Sequence, residues 1–155
     1  MQIREAEVGD ETLIIEEFWY PLAKSMEEYS EINHIKNGVI EDAREAMREM
    51  LKEEDHRVFI LEEEGKDVGC VITEKGERES RKKGRYVSIN DLFVKEEYRN
   101  QGYGTRLIER VRKWAREENC DYLKVSAEWD NRRVREFYKE KGFKEKQIEF
   151  VEIID

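Results

Sequence analysis

The chain holds one proline, two cysteines and two histidines in 155 residues, and no apolar run approaches the ~18–20 residues of a membrane-spanning helix. With one Pro and nine Gly, fibrous and low-complexity architectures are excluded. Cys70 and Cys120 lie far apart with no His or Cys at ligand spacing, which excludes a disulfide scaffold and a zinc site; no metal is expected. His34 and His56 stand alone, without a visible partner. Met1-Gln2-Ile3-Arg4 begins no apolar segment, so a soluble, cytoplasmic protein that does not engage a membrane is expected.

What the chain has in quantity is charge. Charged residues make up 43%, interleaved with spaced apolar positions rather than blocked, and so they read as the solvated faces of a folded domain. Residues 1–55 carry 16 acidic and 6 basic side chains, net −10, leaving +1 for residues 56–155 of a chain whose total is −9. Between 99 and 116, Arg99, Arg106, Arg110, Arg112, Lys113 and Arg116 outnumber Glu109, a balance of +5. An acidic lobe suits a cationic ligand and a basic one a polyanion. Arg81-Lys82-Lys83 lacks interleaved aromatics and sits in a protein of pI near 5.0; it reads as a solvated loop, and no nucleic-acid partner is expected.

Periodicity predicts a strand over 3–7, ended by Gly9-Asp10 with Asp10 as N-cap. A helical pattern follows from Leu13 to Tyr29, interrupted near Pro21, whose ring removes a backbone donor. Gly38 precedes a cleaner helix with Val39, Ile40, Ala43, Ala46, Met47, Met50 and Leu51 on one face. Strands over 56–62 and 67–74 form a hairpin around Glu64-Gly65-Lys66. A polar connection over 75–85 leads to a strand over 86–95. The next helix carries Leu107, Ile108, Val111, Trp114 and Ala115 as one stripe. A strand over 121–128, a short helix with Val134, Phe137 and Tyr138, and a last strand over 147–154 complete an α/β (α+β) sandwich in one domain, 1–155.

The densest chemistry lies in residues 86–105, where an apolar strand runs into a glycine-bearing turn that opens a helix. Helix N-termini present unpaired N–H groups and a positive dipole end, and glycine lets an anion approach the backbone. A P-loop would need Lys after its last glycine, but Gly104 is followed by Thr105 and Arg106. A dinucleotide fingerprint would need a third glycine where Leu107 stands. What remains is Arg99-x-x-Gly102-x-Gly104, followed downstream by Asn131, Phe137-Tyr138 and Gly142-Phe143. The strand itself shows a slip. Val87 and Ile89 share one face, while strict alternation sends Leu92 and Val94 to the other, as one inserted residue near Asn90-Asp91 would produce.

These two motifs, in this order and context, resemble the GNAT superfamily of acetyl-CoA-dependent N-acetyltransferases over roughly residues 86–150. The resemblance implies a mixed, mostly antiparallel sheet of about six to seven strands flanked by about four helices, with a splayed strand pair for the pantetheine arm. It implies acetyl-CoA as co-substrate and direct transfer to an amine in a ternary complex. The backbone of Leu92, Phe93 and Val94 would hold the pantetheine amides. Arg99, Asn100, Gln101, Gly102, Tyr103, Gly104 and Thr105 would bind pyrophosphate, and Asn131 would either contact the cofactor or cap its helix. Tyr138 would contact CoA and protonate the leaving thiolate, and the N–H of Phe93 would meet the oxyanion.

Alkyl amines titrate near ~10.4, so a proton acceptor is needed at neutral pH. Asp91 is the first candidate and Glu128 the second, directly or through water; Asp91 could instead satisfy N–H groups of the bulge. The acidic N-terminal lobe favours a cationic acceptor such as a polyamine, with Phe18-Trp19-Tyr20 as a candidate wall. Alternatives are a protein N-terminus or lysine as acceptor, or a non-catalytic acyl-CoA sensor. A homodimer is left open.

Overall fold

The computed structural model describes all of residues 1–155. Its strands are β1 Gln2–Glu5, β2 His56–Glu63, β3 Lys66–Glu77, β4 Arg85–Val94 and β5 Tyr122–Val125; its α-helices are α1 Glu11–Leu13, α2 Tyr20–Met26, α3 Val39–Met50, α4 Tyr103–Glu117 and α5 Arg132–Glu140. The strands form one sheet in the order β1-β2-β3-β4-β5. Neighbours are antiparallel except β4 and β5, which run parallel with α4 as the crossover between them. Glu64 and Gly65, both at positive φ (51° and 77°), make the tight turn between β2 and β3.

A core lies on each face of the sheet. Leu107, Ile108, Val111, Trp114 and Ala115 of α4 bury against Phe59, Leu61, Val68, Val71, Val87 and Ile89. On the opposite face Ile14, Ile15, Phe18 and Met47 bury against Val58, Ile60, Cys70 and Ile72. β2 and β3 are covered on both sides, which explains their continuous apolar runs.

Several expectations need correction. The helix at Pro21 is not interrupted: α1, a π-helical stretch Ile14–Trp19 and α2 run as one rod, in which Tyr20 N–H reaches back to the carbonyl of Ile15. The wider π turn precedes Pro21 and absorbs its missing donor. With that rod counted once, four helices flank the sheet, as expected. Asp10 occupies the N-cap position without capping; its carboxylate turns back to Arg4, at 2.9 and 3.1 Å, and to the N–H of Glu7. The strands number five rather than six or seven, because residues 147–154 join no sheet, and the strand expected to reach Glu128 ends at Val125. β3 in turn extends to Glu77, pairing residues 75–77 with 85–87. His56 does have partners; its Nε2 lies 3.1 Å from the Glu74 carboxylate. No helix is long and apolar enough to cross a membrane.

Candidate active site

The site forms where β4 changes partners. Ile72 opposes Asp91, but the next residue of β3, Thr73, opposes Ile89, so Asn90 is one residue too many in β4. This bulge brings Val87, Ile89, Leu92 and Val94 together against the core under α4. Asp91 shares the opposite face with its partner Ile72. Phe93 is on that face too, edge-on to Phe18 at 6.4 Å. β5 pairs with β4 only from Tyr86↔Tyr122 to Ile89↔Val125. Beyond that point the β5-side edge of Leu92, Phe93 and Val94 has no strand against it, and the two strands part.

Where β4 ends, the chain enters a turn that leaves its backbone donors free. Asn100 has φ 63° and Gly102 φ 86°, the left-handed region, and Gly102 is the N-cap of α4. No backbone N–H from Asn100 to Thr105 donates to a backbone acceptor; pairing resumes with Arg106 N–H to the Gly102 carbonyl at 3.1 Å. Alternating left-handed turns and a helix start aim such donors inward, a geometry suited to a pyrophosphate. The side chains of this turn serve its scaffold. Arg99 Nε donates to the Val94 carbonyl at 2.8 Å and its guanidinium lies 5.2 Å from the Phe93 ring centre. Tyr103 donates its hydroxyl to Glu63 at 3.1 Å, Gln101 reaches the Glu97 carbonyl at 3.4 Å, and Arg133 of α5 reaches Asn100 at 3.4 Å.

The two glycines differ. A Cβ at Gly104 would stand 3.1 Å from the tip of the Phe137 ring, so any larger residue there obliges that ring to give by a few tenths of an ångström, a packing constraint the sequence did not reveal. A Cβ at Gly102 meets no protein atom within 4 Å, and only its φ constrains it. Gly102→Val therefore separates cofactor binding from packing better than Gly104→Val. Left-handed strain of roughly 1–2 kcal/mol should leave the fold intact, while CoA affinity falls at least ~10-fold because the N–H row is displaced. Calorimetry that finds unchanged CoA affinity in the folded variant removes the anion role from this loop.

Asp91 and Tyr138 are linked by charge. Burial alone, with no cation or hydrogen bond offsetting it, pushes the Asp91 carboxyl up to about 6. A carboxylate satisfying bulge N–H groups would be shifted down, so the capping alternative does not describe Asp91. Burial first and the Asp91 charge second push the Tyr138 hydroxyl up to about 12. Its ring is packed edge-on between Phe137, at 5.3 Å, and Phe143, at 5.5 Å. Phe143 is itself fixed by its N–H to the Tyr138 carbonyl at 3.0 Å, which closes the end of α5.

Glu128 lies elsewhere. Its Oε1 accepts from Asn33 Nδ2 at 2.8 Å, and the same amide donates to the Met26 carbonyl at 3.0 Å. Glu128 thereby ties the β5–α5 loop to the segment joining α2 and α3, where Tyr29 also feels its charge. Asn131 caps α5, accepting from Val134 N–H at 3.2 Å. On the face shared by Asp91 and Phe93, a cleft of about 470 Å³ opens between the rod and the end of β4, lined by Glu17, Pro21, Ser25, Phe93, Lys95, Glu96, Glu97 and Arg99. Lys95 is neutralised by Glu17 at 2.5 Å.

Comparison with known proteins gives the same outline. Residues 19–143 match the family model described as the acetyltransferase (GNAT) family. An uncharacterized N-acetyltransferase of Methanocaldococcus jannaschii is 28% identical over 106 residues, 68% of this chain and 47% of that protein. A thialysine N-epsilon-acetyltransferase of Bos taurus is 38% identical over 61 residues, 39% of this chain and 35% of that protein. The chain thus matches about half or less of the length of these relatives. Among solved structures, a Bacillus halodurans protein superposes with TM-score 0.85 at 18% identity, over 99% of this chain and all of the other. A predicted acetyltransferase of Clostridium acetobutylicum, solved with acetyl-CoA, gives 0.72 at 19% identity over 99% and 95% of the two chains. An aminoglycoside acetyltransferase from an uncultured soil sample, solved with sisomicin, gives 0.75 at 19% over 99% and 96%. The split beside a bulged strand and the free N–H row at a helix start lie within the span that the family model matches, and the chain belongs to the GNAT family of acetyltransferases.

Proposed function

We propose that this protein transfers the acetyl group of acetyl-CoA to a primary amine, and that the acceptor is a cationic small molecule of the polyamine kind. The observation that carries the reading is a carboxyl raised to about 6 at the bulge of β4, whose charge reaches a tyrosine held firmly protonated. These are the states that a proton acceptor and a proton donor need at pH 7.

Asp91 takes a proton from the acceptor ammonium, directly or through water, and the freed nitrogen lone pair forms the C–N bond. The charge that develops on the carbonyl oxygen is received by a backbone N–H on the free edge of β4, that of Leu92 or Val94 rather than the expected Phe93, because the bond from Lys95 N–H to the Val68 carbonyl sets a parity that turns the Phe93 N–H toward β3. As the C–S bond breaks, Tyr138 gives its proton to the sulfur. As the adduct collapses its nitrogen gives up a second proton, which restores the Tyr138 hydroxyl, and the proton held by Asp91 passes to solvent, so that amide, free thiol and one released proton are the products. Asn100 to Thr105 hold the pyrophosphate through their backbone N–H groups, while Arg99, its own N–H bonded to the Glu96 carbonyl at 3.2 Å, braces the turn; Leu92 to Val94 hold the pantetheine amides, and Asn131 acts by capping α5.

The acceptor class rests on charge. Residues 1–55 sum to −10, and Glu128 joins that lobe through Asn33. The names of the thialysine and aminoglycoside enzymes support an amine acceptor in related proteins. A screen of polyamines, aminoglycosides, free amino acids and peptides with acetyl-CoA, following released thiol, tests the reading. A polycationic amine should lead, and its KM should rise several-fold between ~0.05 and ~0.5 M salt as the Debye length shrinks. A preferred anionic or apolar acceptor overturns the charge argument, preferred turnover of peptides points to a protein N-terminus or lysine, and CoA binding without any turnover makes the chain a sensor.

A further inference from the structure

We infer, on the amine-acetylating reading above, that Asn33 is a positioning residue for the acceptor: its amide fixes the Glu128 carboxylate on the Asp91 face of the sheet, where that carboxylate takes the second ammonium of a dicationic amine. A single turn of 3-10 helix, Glu31–Asn33, opened by the Ser30 side chain accepting from Ile32 N–H at 3.3 Å, presents the amide. Asn33 Nδ2 donates to Glu128 Oε1 at 2.8 Å and to the Met26 carbonyl at 3.0 Å. No other hydrogen bond joins residues 20–38 to residues 126–145.

The backbone under Glu128 is held from the other side. Its carbonyl accepts from Asn131 N–H at 3.0 Å, and Arg135 of α5 donates to the Trp129 carbonyl at 3.0 Å with its guanidinium 3.8 Å from the Trp129 ring centre. The loop therefore keeps its place through α5, and what Asn33 adds is the rotamer of one side chain. That side chain is half-buried, and its one donor is a neutral amide. Oε2 accepts no hydrogen bond from the protein, so a whole negative charge stays available to a ligand.

Asn33 and Met26 follow the rod, which packs on the Ile72 face of the sheet, so they draw Glu128 to the face on which Asp91 stands. From Asp91 an acceptor tail has three ways to run. Toward the start of β4 it meets the Tyr86–Tyr122 pair, rings 5.5 Å apart, with Lys124 Nζ 4.2 Å from the Tyr86 ring centre, and beyond them Arg85 and the basic run Arg81-Lys82-Lys83. A second ammonium is repelled there. Toward the end of β4 lies the turn assigned to the pyrophosphate. Across the split stands Glu128, three residues past the end of β5 at Val125, and charge complementarity selects that way.

The test is calorimetric titration of butanediamine and hexanediamine, each against the monoamine of the same chain, into the CoA-bound protein at ~0.05 M salt, with thiol release from acetyl-CoA followed in parallel. The better diamine should bind the wild type at least ~10-fold more tightly than its monoamine. Asn33→Ala should weaken the diamine roughly 3- to 10-fold by freeing the Glu128 rotamer, and the monoamine by less than about twofold. Glu128→Gln keeps an oxygen for Asn33 and removes the charge, so the diamine preference should vanish. The double variant should match Glu128→Gln within about twofold, because Asn33 acts through Glu128. In turnover the same changes should fall on KM, with kcat within about twofold. Equal affinity of the wild type for the two amines overturns the inference, as does an unchanged diamine affinity in Asn33→Ala or a preference that survives Glu128→Gln. A loss of kcat shared by both amines in Glu128→Gln makes Glu128 the base and overturns it too. Binding in the expected pattern without released thiol fails the transfer reading and leaves this inference standing. Should Asn33→Ala not fold, Asn33→Leu, of similar size and without the donor, takes its place.

Discussion

Replacing Tyr138 by Phe lowers kcat by about 10²-fold and leaves CoA affinity within about twofold. The substitution keeps the ring between Phe137 and Phe143, so the packing that ends α5 is retained. Its hydroxyl is held protonated by burial and by Asp91, without a protein hydrogen bond, so stability should change by less than the ~1 kcal/mol of an ordinary bond. What is lost is a proton placed where the thiolate departs. General acid catalysis is worth about 10²–10⁴-fold, and the low end applies here because a thiol of pKa ~8.5 is already a tolerable leaving group. With the hydroxyl pushed up to about 12, the wild type should show no loss of this acid between pH 7 and 10. Single-turnover rates on both proteins check the prediction. A fall of less than about threefold, with chemistry rate-limiting, would leave Tyr138 a packing residue.

Local patterns in the sequence carried far. The bulge at Asn90 was visible because four apolar residues of one strand could share a face only if one residue were inserted, and no partner strand had to be known. The α4 stripe and the β2–β3 turn were equally local. So was the turn before α4, whose left-handed residues and helix start leave the backbone donors of residues 100–105 without backbone acceptors.

Features that depend on distant partners were hidden. Residues 147–154 alternate as a strand should, yet a strand also needs an edge, and within this chain none receives it. The packing constraint at Gly104 was hidden because Phe137, 33 residues on, could not be seen to lie against it. Asn33 gave no signal at all; its role comes from Glu128, 95 residues away. The π turn before Pro21 depends on how the rod lies on the sheet, which a helical wheel with a fixed period cannot show. His56 had no visible partner because Glu74 meets it across a strand pair.

Asp91→Asn should make the protein more stable and less active, a combination that a structural carboxylate cannot give. The Asp91 carboxyl titrates near 6 in the fold against 3.8 for the ordinary group. Between these values the native state holds a proton that the unfolded chain has released, so stability falls as pH rises through this window and the full penalty applies above about 6. A shift of about two units corresponds to ~3 kcal/mol. Asparagine removes the ionisation but leaves a buried amide in need of partners, which returns part of the gain. The expected net is ~1–2 kcal/mol at pH 8, or a melting temperature ~3–6 °C higher, shrinking toward zero at pH 4, where the wild-type carboxyl is protonated as well. Over the same range kcat/KM should drop by about 10²-fold. The wild-type rise in rate through pH 6 should disappear from what activity remains. Melting curves at pH 4 and pH 8, with the pH–rate profile, read both effects. A variant that is less stable at pH 8 would show that the carboxylate holds the bulge together. A variant that is more stable and fully active would pass the proton transfer to Glu128 or to water alone.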